Sequence, residues 1–167
     1  MNTAQINRAL EGNPITRTIF RGVYSSDNVP VFATYPSGCV VNTDRAGQPG
    51  THWVALYQEK PGVMETFDSF GRDFSSYTIN LPPFRLVTQC QELQSDTSTV
   101  CGQFCMFFLL RRASGETYSH ILHLFTDHRI ANDIMVCQYV NYYFDIRTEV
   151  HDQHFINQVA KMMTEMK

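Results

Sequence analysis

The segment Cys101–Ala113, CGQFCMFFLLRRA, constrains the fold more than any other part of the chain. Its interior reads Phe104, Cys105, Met106, Phe107, Phe108, Leu109, Leu110, which at helical spacing is apolar on every side. A helix without a polar face cannot lie on a surface, so it must be the buried centre of a domain with other elements packed around it. Its ends are readable too. Ser98 or Thr99 can cap the start, Arg111 and Arg112 sit in the last turn, where they complement the helix dipole, and Gly115 can end it.

What must surround that helix lies mostly before it. Up to about residue 90 the chain is rich in Gly, Pro and Thr and carries short β-like segments: Thr18–Val23, Gly38–Thr43, His52–Gln58, Val63–Asp68 and Arg85–Gln89. A short helix is expected at about Thr3–Glu11. After Cys101 there is no proline, and three amphipathic helices follow: one with Tyr118, Ile121, Leu122 and Phe125, one starting near Asn132, and one starting near Asp152. Strands first and helices after give an α+β architecture. The 167 residues form one domain, residues 1–167, and the 43% hydrophobic content excludes a disordered chain. No apolar run approaches the ~18 residues of a membrane span, so no membrane association is expected. The net charge of −3 argues against a dominant nucleic-acid role. No signal-like segment opens the chain and the five cysteines are odd in number and irregularly spaced, so reduced thiols in a reducing intracellular environment are expected. No metal is expected: His120, His123 and His128, and the pair His151 and His154, complete no zinc signature.

Four residues carry candidate chemistry. In His52–Asp68, two apolar strands flank the turn sequence Gln58-Glu59-Lys60-Pro61-Gly62. A hairpin centred on Lys60 places His52 opposite Asp68, where the carboxylate can orient the imidazole and leave its other nitrogen free as a base. A one-residue slip would separate them onto opposite faces. Cys101 opens the apolar helix, where unpaired amides favour the thiolate and the Cys101 amide can bind an oxyanion. Gly102 leaves space for a substrate backbone, and Gln94, in the loop Gln94-Ser95-Asp96-Thr97, can supply a second oxyanion donor. Each residue alone also has an ordinary reading: a strand-edge histidine, a core cysteine, a turn aspartate, a loop glutamine. Together they make a catalytic candidate.

Three blocks resemble the adenovirus-type cysteine proteases (adenains), including relatives in Maverick/Polinton elements and other DNA viruses. Val41-Asn42-Thr43, Arg45 and Gly50-Thr51-His52-Trp53 are similar to that family's histidine segment. Phe67-Asp68-Ser69-Phe70-Gly71 resembles the acid segment, and Gln94 followed after six residues by Cys101-Gly102-Gln103-Phe104-Cys105 resembles the oxyanion and nucleophile segment. The resemblance covers about residues 38 to 110. It departs in Asp68, where the adenovirus enzymes usually have Glu; Asp68-Ser69 looks more like the more distantly related proteases of ubiquitin-like modifiers. The chain is also shorter than the adenovirus enzymes and less basic.

The resemblance implies a papain-like/adenain-like fold, with a central buried helix on a mostly antiparallel sheet. It implies a cysteine endopeptidase with catalytic Cys101, His52, Asp68 and Gln94, and substrate-binding Trp53 and Gly102. Trp53 would wall the cleft and force small side chains beside the scissile bond; its ordinary reading is a half-buried strand aromatic. The implied substrates are viral capsid and core precursors cut at Gly-rich sites, in the host nucleus and the virion, by a monomer. No cofactor is required, although an activating viral peptide is conceivable, with Cys90 the candidate attachment point. DNA binding is expected to be weak or absent, because 13 Lys and Arg stand against 16 Asp and Glu. The alternatives are an isopeptidase acting on ubiquitin or SUMO-like modifiers, and a non-catalytic capsid-associated module.

Overall fold

A computed structural model describes residues 1–146. Five strands form one sheet in sequence order: β1 (Phe20–Ser25), β2 (Ser37–Asn42), β3 (Trp53–Gln58), β4 (Val63–Phe67) and β5 (Arg85–Val87). Four helices accompany them: α1 (Thr3–Gly12), α2 (Cys101–Ala113), α3 (Tyr118–Leu122) and α4 (Arg129–Phe144). The expected last helix, from Asp152, lies outside the described residues. The fourth helix starts at Arg129 rather than near Asn132. The fold is the expected α+β one, but the sheet is evenly mixed. Its two inner pairings, β2–β3 and β3–β4, are antiparallel, and its two outer ones are parallel.

The central strand β3 shows why the helix and sheet meet as they do. All six of its residues are buried, and alternate side chains serve opposite faces. Trp53, Ala55 and Tyr57 join the cluster built around α2, while Val54 and Leu56 pack with Phe32, Cys39, Val41, Met64 and Phe74. Helix α2 is as deeply enclosed as its composition demands: Phe104 and Met106–Leu110 are fully buried. It approaches β2 so closely that a Cβ on Gly38 would lie 2.7 Å from Leu109 Cδ2. At its C-terminal end the buried Arg112 pairs with Glu65 of β4 at 2.8 Å and lies over the Tyr57 ring. Gly115, at φ 88°, ends the helix as expected.

The start of α2 differs from expectation. Val100 occupies the N-cap position and no side chain caps the helix. Ser98 turns its hydroxyl to Gln94 and to the Ser95 carbonyl instead. The first-turn amides therefore keep no side-chain acceptor, and they face the region where Cys101 stands.

Candidate active site

The β3–β4 hairpin has opposed residue numbers summing to 122, as in Ala55 with Phe67 and Tyr57 with Glu65. A turn centred on Lys60 predicts 120, so the expected pairings of Ala55 with Glu65 and of His52 with Asp68 are each displaced by two. The four-residue turn, residues 59–62, is asymmetric, with Gly62 at φ 80°. A two-residue displacement preserves which face each side chain takes. His52, just before β3, and Asp68, just after β4, thus remain on one side and meet diagonally. His52 Nε2 lies 2.7 Å from Asp68 Oδ1, with both side chains buried. The position more nearly opposite His52 belongs to Phe70, whose ring lies tilted against the imidazole with centroids 4.9 Å apart.

Asp68 is held from several directions. It accepts hydrogen bonds from the Phe70 amide at 2.9 Å, the Arg72 amide at 3.3 Å and the Tyr77 hydroxyl at 2.6 Å. Its backbone carbonyl accepts from the Gly71 amide and from the Gln89 side chain. Gly71 is required in this turn: φ is 62°, and a Cβ would come within 2.5 Å of the Gln91 backbone. Burial alone would raise the Asp68 pKa, but His52, Tyr77 and the Phe70 amide together bring it below the ordinary carboxylate value.

With Nε2 on Asp68, the His52 Nδ1 is buried and makes no other hydrogen bond. On that side the imidazole interacts with the thiol of Cys101, and the two ionise as a couple. Burial lowers the His52 pKa, but Asp68 and Cys101 outweigh it and lift it to about 9. Burial raises the Cys101 pKa, but His52 and the backbone amides of Trp53 and Gly102 outweigh it and lower it. The arrangement therefore favours a thiolate beside an imidazolium. Cys39 and Cys137 are driven the other way by burial, the latter to about 12.

Gln94 is fully buried at the rear of the same cleft. Its Oε1 accepts from the Ser69 hydroxyl at 2.7 Å, and its Nε2 donates to the backbone oxygen and hydroxyl of Ser98, both at 3.0 Å. The Ser69 carbonyl also accepts the amides of Leu93 and Gln94, each at 2.9 Å. Adjacent residues thus serve different partners: Asp68 orients the imidazole and Ser69 orients the glutamine. The cleft encloses about 270 Å³ and brings Cys101, Gln94, Trp53 and Phe70 together with Gly50 and Thr51. At Gly102 a Cβ would stand 3.3 Å from Ile6 of α1 and 3.5 and 3.6 Å from Met1 and Trp53, two residues that line the cleft. Cys90 is exposed and lies outside the cleft lining.

Tyr77, Phe70 and Ser69 were not singled out from sequence as site residues. Tyr77 follows a 3-10 turn at Phe74–Ser76 in a segment without strand or helix periodicity, which gives no indication of where its hydroxyl goes. Tyr77→Phe should cost about 1.5–3 kcal/mol, because a hydrogen bond to a charged acceptor is lost. Thermal unfolding at pH 7 checks this, and an unchanged Tm would mean that Asp68 does not depend on the hydroxyl.

No protein-family model matches the chain. In sequence it is 25% identical over 108 residues to the cysteine protease S273R of African swine fever virus, spanning 51% of this chain. The match takes in only 37% of that relative's length. The crystal structure of the African swine fever virus pS273R protease superposes with a TM-score of 0.59 over 86% of this chain and 66% of that one, at 18% identity. The chain therefore has the papain-like/adenain-like α+β fold and is related in sequence to a viral cysteine protease.

Proposed function

We propose that this chain is a viral cysteine endopeptidase with Cys101 as nucleophile, His52 as general base, Asp68 as its orienting acid and Gln94 in the oxyanion hole. One observation carries the reading: a buried imidazole fixed by Asp68 through Nε2 turns its other nitrogen to a cysteine at the uncapped start of the central helix. His52 Nδ1 takes the thiol proton, and Cys101 Sγ attacks the peptide carbonyl carbon. The oxyanion is received by the Cys101 amide and by Gln94 Nε2, which gives up one Ser98 acceptor to do so. Such a donor is worth about 2.7–4 kcal/mol. The imidazolium then protonates the leaving amine, and water, deprotonated by the neutral imidazole, releases the acyl group from sulfur. The Trp53 side of the cleft supports a preference for small residues, hence Gly-rich sites in virion precursor proteins. The relationship to a viral cysteine protease supports a role in virion maturation.

A peptide ending in Gly and carrying a vinyl sulfone tests the reading. It should alkylate Cys101 ahead of the exposed Cys90, with mass spectrometry locating the adduct. Equal labelling of both, or none, would remove the assignment of the nucleophile. A modifier-Gly-Gly probe that reacts faster than the peptide would instead establish a deconjugase.

The pH dependence follows from the couple. The imidazolium–thiolate form persists from the lowered Cys101 pKa up to the His52 value of about 9. kcat/KM should therefore fall as pH rises through about 9. A rate still climbing between pH 9 and 10 would show that His52 needs no proton.

A further inference from the structure

Helix α4 grips the loop that carries Gln94. Three residues on one face of its first turns reach into that loop. Arg129 pairs with Glu92 and with Asp96, the latter at 3.1 Å. Asn132, buried, donates from Nδ2 to the Leu93 carbonyl at 3.0 Å. Asp133, fully buried, has both carboxylate oxygens 3.4 Å from the Ser95 amide, and the Ser95 carbonyl in turn accepts the Ser98 hydroxyl at 3.2 Å. Ser98 is the residue that holds Gln94 Nε2 through both its backbone oxygen and its hydroxyl. A continuous chain of contacts thus runs from Asp133 through Ser95 and Ser98 to the Gln94 amide.

The acid is costly where it stands. Among the described residues no cation lies within ion-pair distance of it, and burial raises its pKa to about 7. A carboxyl raised in this way contributes stability that is full below its unfolded pKa and is lost as pH rises through its folded value. An apolar or amide side chain would be cheaper, and residues that break local rules without a stability gain concentrate at functional sites.

Resting on the protease reading above, we infer that Asp133 is a positioning residue for the oxyanion hole: it fixes the Ser95–Ser98 turn so that Gln94 Nε2 is presented to the cleft. As a carboxylate it accepts the Ser95 amide, and the Ser98 hydroxyl donates to the Ser95 carbonyl, which leaves the Ser98 oxygen lone pairs facing Gln94. Protonation removes part of that acceptor capacity and loosens the turn. The charged and titratable groups around it are Cys137, one turn further along α4, and the rim trio Arg129, Glu92 and Asp96. On α2, Cys105 is a buried thiol with a raised pKa, and Arg111 and Arg112 are committed to Glu116 and Glu65. His120 of α3 pairs with Glu116.

The test compares wild type, Asp133→Ala and Asp133→Asn as full chains. Peptide cleavage is followed from pH 5.5 to 8.5, and the rate of Cys101 alkylation by iodoacetamide is measured alongside. Misplacing an oxyanion donor should lower kcat of Asp133→Ala by about 10- to 100-fold with little change in KM. Cys101 alkylation should stay within about twofold of wild type, because thiolate formation does not use Gln94. Asp133→Asn retains one acceptor oxygen. It should recover most of kcat and lose the rise in kcat through pH 7 expected of wild type. Wild-type kcat in Asp133→Ala, or a parallel loss of cleavage and alkylation, or an unaltered pH profile in Asp133→Asn, would overturn the inference while leaving the protease reading intact. A wild-type chain that alkylates at Cys101 but cleaves no peptide would overturn the protease reading, and the role of Asp133 with it.

Discussion

Cys101→Ala is expected to reduce peptide cleavage by on the order of 10⁴-fold or more, since removing a nucleophile eliminates the covalent route altogether. The fold should survive. The side chain is small and buried at the first position of α2, and alanine suits a helix. A change of about 1 kcal/mol in stability is the expected scale. The variant also reads out the couple. In wild type, Asp68 and Cys101 jointly lift the His52 pKa to about 9 against the effect of burial. With the sulfur gone, only Asp68 opposes burial, so the His52 pKa should fall. Imidazole proton resonances followed by NMR titration measure that fall directly. Turnover comparable to wild type, or an unmoved His52 titration, would place the nucleophile elsewhere.

What was legible in the sequence, and what was not, divides along physical lines. Helix α2 could be located to the residue because its all-round apolar character admits only one environment. The five β segments of the sheet were visible through short-range pattern and turn residues. The His52–Asp68 meeting survived a two-residue error in register because strand faces alternate with period two, so an even shift is harmless and an odd one is fatal. The parallel pairings of β1 with β2 and of β5 with β4 join segments whose connections say nothing of strand direction. The Ser98 cap failed because a serine hydroxyl has several competing acceptors and donors within reach, and here Gln94 prevails over the helix amides. Tyr77 and Ser69 escaped notice because their roles depend on irregular loops folding back onto the hairpin. Asp133 read as part of an amphipathic helix, and only burial against the Gln94 loop gives it meaning.

Asp68 is the residue whose loss should reach furthest, because structure and chemistry both pass through it. Its carboxylate accepts from His52, Tyr77 and the amides of Phe70 and Arg72. Asp68→Ala leaves those donors without an acceptor in a buried place, at a cost of about 3 kcal/mol or more. Asp68→Asn spares most of the packing but breaks the proton order. Its single acceptor oxygen cannot serve both the Tyr77 hydroxyl and the His52 Nε2–H; with the amide NH₂ turned to the ring, Nε2 must become the acceptor. The proton then sits on Nδ1, facing the thiol it should receive from. A wrong tautomer of this kind costs about 10²- to 10⁴-fold in kcat. The stability profile carries the same signature. The lowered Asp68 pKa contributes stability above its unfolded value of about 3.9, lost as pH falls through the folded value. The raised His52 pKa contributes stability that is full below about 6.5 and lost as pH rises through about 9. Asp68→Ala should therefore lose its own acid-side contribution entirely and much of the alkaline-side one, giving a lower and flatter dependence of Tm on pH between 3 and 9. Urea or thermal unfolding across that range, set beside kcat for Asp68→Asn, decides the matter. A wild-type-shaped profile in Asp68→Ala, together with near-normal kcat in Asp68→Asn, would require a different acid behind His52.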